Sequence, residues 1–175
     1  MSRNWIITGA AGVCLVVGIV PSHQIEPGVR VQKVTLAEET PALKFLPAGP
    51  GPRPVALLAH GYAGSKETLF RYGEALAAAG FVCYDVDLPG HGASQRTYTF
   101  MEAVHTLEAV AREIGPVDVF AGHSMGGGTG GEAVRKGGIR PGLFIAIGYS
   151  PVLGDHAPPL LLLTGRFEMN DWRVI

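Results

Sequence analysis

Val117-Asp118-Val119-Phe120-Ala121-Gly122-His123-Ser124-Met125-Gly126-Gly127-Gly128 passes from an apolar run to a string of small residues within a few positions. The run 117–121 predicts a buried strand, and the segment 125–136, rich in small residues and closed by Gly137-Gly138, predicts a helix. A strand that reverses so sharply into a helix strains the residue at the turn and leaves its side chain projecting. Gly122 and Gly126, two before and two after the serine, leave room for that reversal. Ser124 is therefore a candidate nucleophile. The Met125 N–H and the positive end of the following helix face the place where negative charge would develop. The competing interpretation is a serine that merely caps the helix start.

Outward from this turn the pattern repeats. Apolar runs at 55–59, 81–86, 143–147 and 160–163 are short and bounded by Gly or Pro, as strands buried on both faces are. Between them lie helical segments: 67–79, with Ser65 as N-cap and Gly80 as stop, and 100–114, closed by Gly115-Pro116. An earlier pair, 29–36 and 42–46, supplies an antiparallel edge before the Pro/Gly-rich segment 47–54. Strand and helix alternate, so the expected class is α/β, a mostly parallel sheet with helices on both faces.

Two further motifs accompany the serine turn. Pro54-Val55-Ala56-Leu57-Leu58-Ala59 leads into His60-Gly61-Tyr62-Ala63-Gly64, and Asp85-Val86-Asp87-Leu88-Pro89-Gly90-His91-Gly92-Ala93-Ser94 stands between it and the serine. In this order, over roughly residues 31–168, the chain resembles the α/β-hydrolase superfamily. The resemblance implies a serine hydrolase acting on carboxylic esters or related acyl bonds through an acyl-enzyme, with a small-molecule acyl substrate and no cofactor or metal. It implies that Ser124 is the nucleophile. The His60-Gly61 turn would carry an oxyanion donor, the N–H of Tyr62 or Ala63, opposite that of Met125. His91 and His123 match positions that shape loops, and Asp85 and Asp87 are expected to be structural. The triad acid belongs at the end of the last strand, where Glu168 stands in Gly165-Arg166-Phe167-Glu168, with Asp171 and Asp155 as competitors.

The base does not fall into place. The superfamily order is Ser, acid, His, and no histidine follows Glu168; His156 is the one histidine after the serine, and it precedes the acid. The expectation is that residues 23–175 form a partial domain lacking a C-terminal strand, helix and catalytic histidine. An inactive binding protein on this fold, or an acyltransferase using the same serine turn, remain alternatives. The connection 149–159 is too short for a helical cap, which predicts an open site.

Composition fits one such domain. With 175 residues, 47% hydrophobic and 17% charged, a sizeable core is expected. A net charge of -1 without a Lys/Arg cluster argues against nucleic acid as a partner. Cys14 and Cys83 are too few for a disulfide framework or a metal site. Residues 5–20, opening on Trp5 and closing on Val20, are mostly apolar, follow Arg3 and precede Pro21. As a helix they would reach about 24 Å, short of the roughly 30 Å hydrocarbon core. Residues 1–22 thus read as a signal peptide or signal anchor, with membrane association through 5–20 and an exported or membrane-anchored location; a buried element of a cytoplasmic domain is the alternative. Val13 before Cys14 argues against lipoprotein processing. Gly126 to Gly131 also satisfy Gly-x-Gly-x-x-Gly, but no acid follows about 20 residues on, so close packing explains these glycines better than a dinucleotide.

Overall fold

A computed structural model of the chain describes residues 26–155 and 157–164. It contains seven strands, β1 (Arg30–Leu36), β2 (Thr40–Leu46), β3 (Val55–Ala59), β4 (Val82–Val86), β5 (Val119–His123), β6 (Leu143–Ile147) and β7 (Leu160–Leu163). Three helices, α1 (Phe70–Ala78), α2 (Phe100–Ile114) and α3 (Met125–Arg135), and a 3-10 turn at Ala37–Glu39 complete the described elements. The strands form one sheet in the order β1-β2-β4-β3-β5-β6-β7. The β1–β2 and β2–β4 pairings are antiparallel and every later pairing is parallel.

Alternation along the central strands creates two cores. Leu57, Phe120 and Phe144 face one side, where they meet Val104, Leu107 and Val110 of α2 and Val134 of α3. Leu58, Ala121 and Ile145, their neighbours in sequence, face the other and pack with Phe45, Leu76 and Cys83 on the side of α1. The glycines of α3 let it approach the sheet: a Cβ on Gly130 would stand 2.1 Å from Phe120. Two glycines of the Gly-x-Gly-x-x-Gly pattern are likewise required by close packing, since a Cβ on Gly126 would stand 2.2 Å from Ala59 O and one on Gly131 2.8 Å from Pro151.

Two of the boundaries that differ from expectation have a visible cause. β5 starts at Val119 because Asp118 ties strand starts together, its carboxylate accepting the Val55 N–H (2.9 Å) and its carbonyl the Leu143 N–H (2.9 Å). Helix α1 starts at Phe70, and Ser65 is not its cap. The Ser65 hydroxyl bonds the Glu67 carboxylate (2.8 Å) and its N–H bonds the Thr68 hydroxyl (3.0 Å), so 65–69 form tight turns instead.

β6 and β7 are parallel, yet no helix joins them among the described residues. The connection 148–159 runs down α3: Tyr149 lies against Gly127 and Gly128, Pro151 against Gly131, and Gly154 against Arg135. Backbone hydrogen bonds tie its ends, Gly148 N–H to Leu163 O and Phe144 N–H to Pro159 O. Between them the described residues make none. No described helix is long and apolar enough to cross a membrane. Residues 1–22, His156, Glu168 and Asp171 lie outside the described residues.

Candidate active site

Every parallel strand ends at the same rim, so the turns after β4, β3, β5 and β6 stand side by side. Ser124 sits at the turn from β5 to α3 with φ 47° and ψ −109°, a left-handed conformation that a residue with a side chain adopts only under constraint. The constraint is visible on both sides. The Ser124 N–H donates to Ile147 O (2.9 Å) on β6, and its carbonyl accepts from the Gly128 N–H (3.0 Å) in the first turn of α3. A Cβ on Gly122 would lie 2.6 Å from Gly126 O, and one on Gly126 would lie 2.2 Å from Ala59 O. Side chains at either position would block the reversal. Although Ser124 occupies the N-cap position, its hydroxyl makes no cap hydrogen bond, which disposes of the simple capping interpretation.

The turn after β3 abuts this elbow. A Cβ on Gly61 would stand 3.4 Å from Ser124 Cβ and 2.6 Å from His123 Nδ1. Gly61 O accepts from the Gly64 N–H (2.9 Å), which closes a turn over 61–64. The Tyr62 and Ala63 N–H groups inside that turn have no acceptor among the described residues. At the start of α3 the Met125 N–H is likewise one of the donors for which a helix supplies no acceptor. His60 is fully buried and spans two loops, its Nε2 accepting the Leu88 N–H (3.1 Å) and its Nδ1 donating to Gly61 O (2.7 Å). Burial holds its imidazole below the ordinary histidine pKa, so it stays neutral as this pairing requires.

Asp87, fully buried at the end of β4, organises the loops around the rim. Its carboxylate accepts from the Lys66 N–H (2.7 Å), the Lys66 ammonium (2.7 Å) and the Ala93 N–H (2.8 Å). Lys66 also lies 3.2 Å from Glu67. Burial works against the lysine's charge, but its hydrogen bonds to Asp87 and Glu67 outweigh that and raise its pKa. Sequence reasoning missed Lys66, because a lysine between a glycine turn and a helix has the local signature of a surface residue. Asp85 differs from Asp87: both of its carboxyl oxygens are buried without a hydrogen-bond partner. Burial, then Asp87 and Glu67, push its pKa well above the usual carboxylate range.

Ser124, Met125, Gly122, Gly126, His60, Gly61 and Tyr62 are thus brought together at one rim. None of the described histidines, His60, His91, His105 and His123, is hydrogen-bonded to Ser124. The His123 Nδ1 is buried without a partner, and the His91 Nδ1 bonds Pro89 O (2.8 Å). No group of three or more His, Cys, Asp or Glu among the described residues is arranged to hold a metal ion.

Residues 35–174 match the model of the alpha/beta hydrolase family. The chain belongs to that family. A monoacylglycerol lipase of Mycolicibacterium smegmatis is 37% identical over 127 residues, covering 66% of this chain and 44% of the relative. The chain therefore spans less than half the length of that lipase. Among solved structures, an esterase of M. tuberculosis superposes with a TM-score of 0.59 at 23% identity, over 83% of this chain and 47% of its own. A Thermus thermophilus protein does so with a TM-score of 0.58 at 24% identity, over 73% and 61%. These superpositions show the α/β-hydrolase fold.

Proposed function

We propose that this alpha/beta hydrolase cleaves carboxylic esters through an acyl-enzyme formed on Ser124. The observation that carries the proposal is the strained serine at the start of α3, with a hydroxyl that is not spent on capping the helix. The names of the relatives, a lipase and an esterase, support the substrate class. In this mechanism Ser124 Oγ attacks the ester carbonyl and its proton passes to a base. The carbonyl oxygen, now negative, takes the N–H of Met125 and that of Tyr62 or Ala63. Collapse expels the alcohol, and water then releases the acid. Glu168 is proposed to orient the base, which is drawn from outside the described residues, where His156 lies. Residues 1–22 are proposed to direct export or membrane anchoring.

A fluorophosphonate probe is expected to label Ser124, and Ser124→Ala is expected to abolish both labelling and p-nitrophenyl acetate turnover. Labelling that persists in the alanine variant refutes the assignment. His156→Ala tests the base: loss of turnover assigns it, whereas an unchanged slow rate points to catalysis by the oxyanion donors alone. One observation favours a second interpretation, a non-catalytic protein on this fold: no described imidazole is bonded to Ser124. A triad without its base keeps only residual catalysis, orders of magnitude below the intact arrangement.

A further inference from the structure

We infer that Tyr62, His91 and Tyr98 form a preorganised stacking platform that selects esters bearing a planar aryl group, an inference that rests on the ester-hydrolysis proposal. Tyr62 follows Gly61, where a Cβ would stand 3.4 Å from Ser124 Cβ, so its backbone belongs to the turn that adjoins the reacting serine. Tyr62 as a whole is 68% exposed. Its ring is nonetheless held by two others: ring centroids lie 5.3 Å apart for Tyr62–His91, 5.9 Å for Tyr62–Tyr98 and 5.4 Å for His91–Tyr98, with interplanar angles of 77°, 85° and 87°. Each pair is edge to face, the arrangement that the aromatic quadrupole favours.

The two supporting rings are themselves anchored. The His91 imidazole bonds Pro89 O (2.8 Å). Tyr98 packs so closely on Gly90 that a Cβ there would meet Tyr98 Cβ at 2.6 Å. The Gly90 N–H bonds Arg96 O (2.7 Å), and the Arg96 guanidinium is held by Glu38, Glu102 and the Thr106 hydroxyl (2.9 Å). Loop, 3-10 turn and helix α2 thereby fix the platform before any ligand arrives, which lowers the cost of binding.

The spacing also decides the ligand class. An aromatic cage shares a cation among rings that stand apart around an empty centre. Here the three centroids form a triangle whose centre lies only about 3 Å from each, closer than the roughly 3.5–4.0 Å at which carbon atoms make contact. The centre is filled, so no ammonium group enters it. What remains is the exposed part of Tyr62, carried by the turn that adjoins Ser124, on which a flat ring of the substrate would stack.

The test uses two phosphonate probes with one leaving group, one carrying a phenyl and the other a cyclohexyl substituent, similar in size but not in planarity. The phenyl probe is expected to label Ser124 about three- to tenfold faster, the worth of one aromatic pair. Tyr62→Phe keeps that ratio and Tyr62→Ala brings it to about one, even if loss of the side chain slows both probes. A ratio that starts near one, or that survives Tyr62→Ala, overturns the platform. A second measurement needs no reactive serine: benzyl alcohol titrated into the Ser124→Ala chain should shift the Tyr62 ring resonances, and cyclohexylmethanol should not. Ring shifts without labelling of the parent chain refute ester hydrolysis and leave the platform standing. Labelling without ring shifts or phenyl preference refutes the platform alone.

Discussion

Asp85→Asn is expected to change how stability depends on pH. Asp85 is fully buried on β4, both oxygens lack partners, and burial followed by the nearby Asp87 and Glu67 keeps its carboxyl neutral well above the usual range. An unfolded aspartate titrates near pH ~3.9. Below that pH both states hold the proton and the group contributes no pH dependence. Above it the unfolded chain releases the proton while the folded chain keeps it, so folding loses about 1.4 kcal/mol for each pH unit until the folded pKa is passed. Asparagine has the same shape and does not titrate, but it leaves an unpaired amide costing about 1–3 kcal/mol. The variant should therefore match or fall below the parent near pH 4 and gain on it steadily above that. Urea unfolding of both chains at half-unit steps from pH 4.5 upward measures the difference, in which the other carboxylates cancel. In a thermal melt the gain should be about 3–6 °C per pH unit for a domain of this size. Two parallel stability–pH curves would refute the argument.

Lys66→Met should destabilise the fold by about 3 kcal/mol, because it leaves the fully buried Asp87 carboxylate without its cation; chemical denaturation measures the loss, and a change under 1 kcal/mol contradicts it. Ser124→Gly should raise stability by about 1 kcal/mol through relief of the left-handed backbone, whereas Ser124→Ala should bring no such gain; equal melting temperatures for the two variants would show that no strain is stored there. Deleting residues 1–22 should move the protein from the membrane or exported fraction to the cytosolic one, read by fractionation and immunoblot; an unchanged distribution contradicts the proposed targeting role.

The sequence discloses elements whose ends are set locally. Helix α2 is found at 100–114 as expected because Thr99 caps it, its hydroxyl accepting the Glu102 N–H (3.0 Å), and Gly115-Pro116 stops it. The elbow is legible because a strand, a serine and two glycines stand within five positions, although part of what constrains it, Ala59 O beside Gly126 and Ile147 O on the Ser124 N–H, lies across the fold. Where a side chain has a choice of partners, local signals mislead. Ser65 prefers Glu67 and Thr68 to the helix that it seemed to cap, so α1 begins later. Contacts across the fold are silent in the sequence: Lys66 meets Asp87 over a separation of 21 residues. The two aspartates of Asp85-Val86-Asp87 look alike in sequence, yet one organises three donors and the other has none.

The strap between β6 and β7 bears on how such a scaffold acquires new specificities. It is secured at its ends by strand hydrogen bonds and along its length, among the described residues, by Tyr149, Pro151 and Leu153 resting on α3. Sequence added between those ends therefore breaks no backbone ladder. Doubling the length of a flexible loop costs only about 0.6 kcal/mol. The strap leaves the sheet beside Ser124 and runs down α3 to the opposite end of the strands, so it is material grafted at its first residues, near Tyr149, that would roof the serine without disturbing the turn that holds it. Recognition can in this way be rewritten by insertion at a single address while the reacting serine and its backbone donors are inherited unchanged.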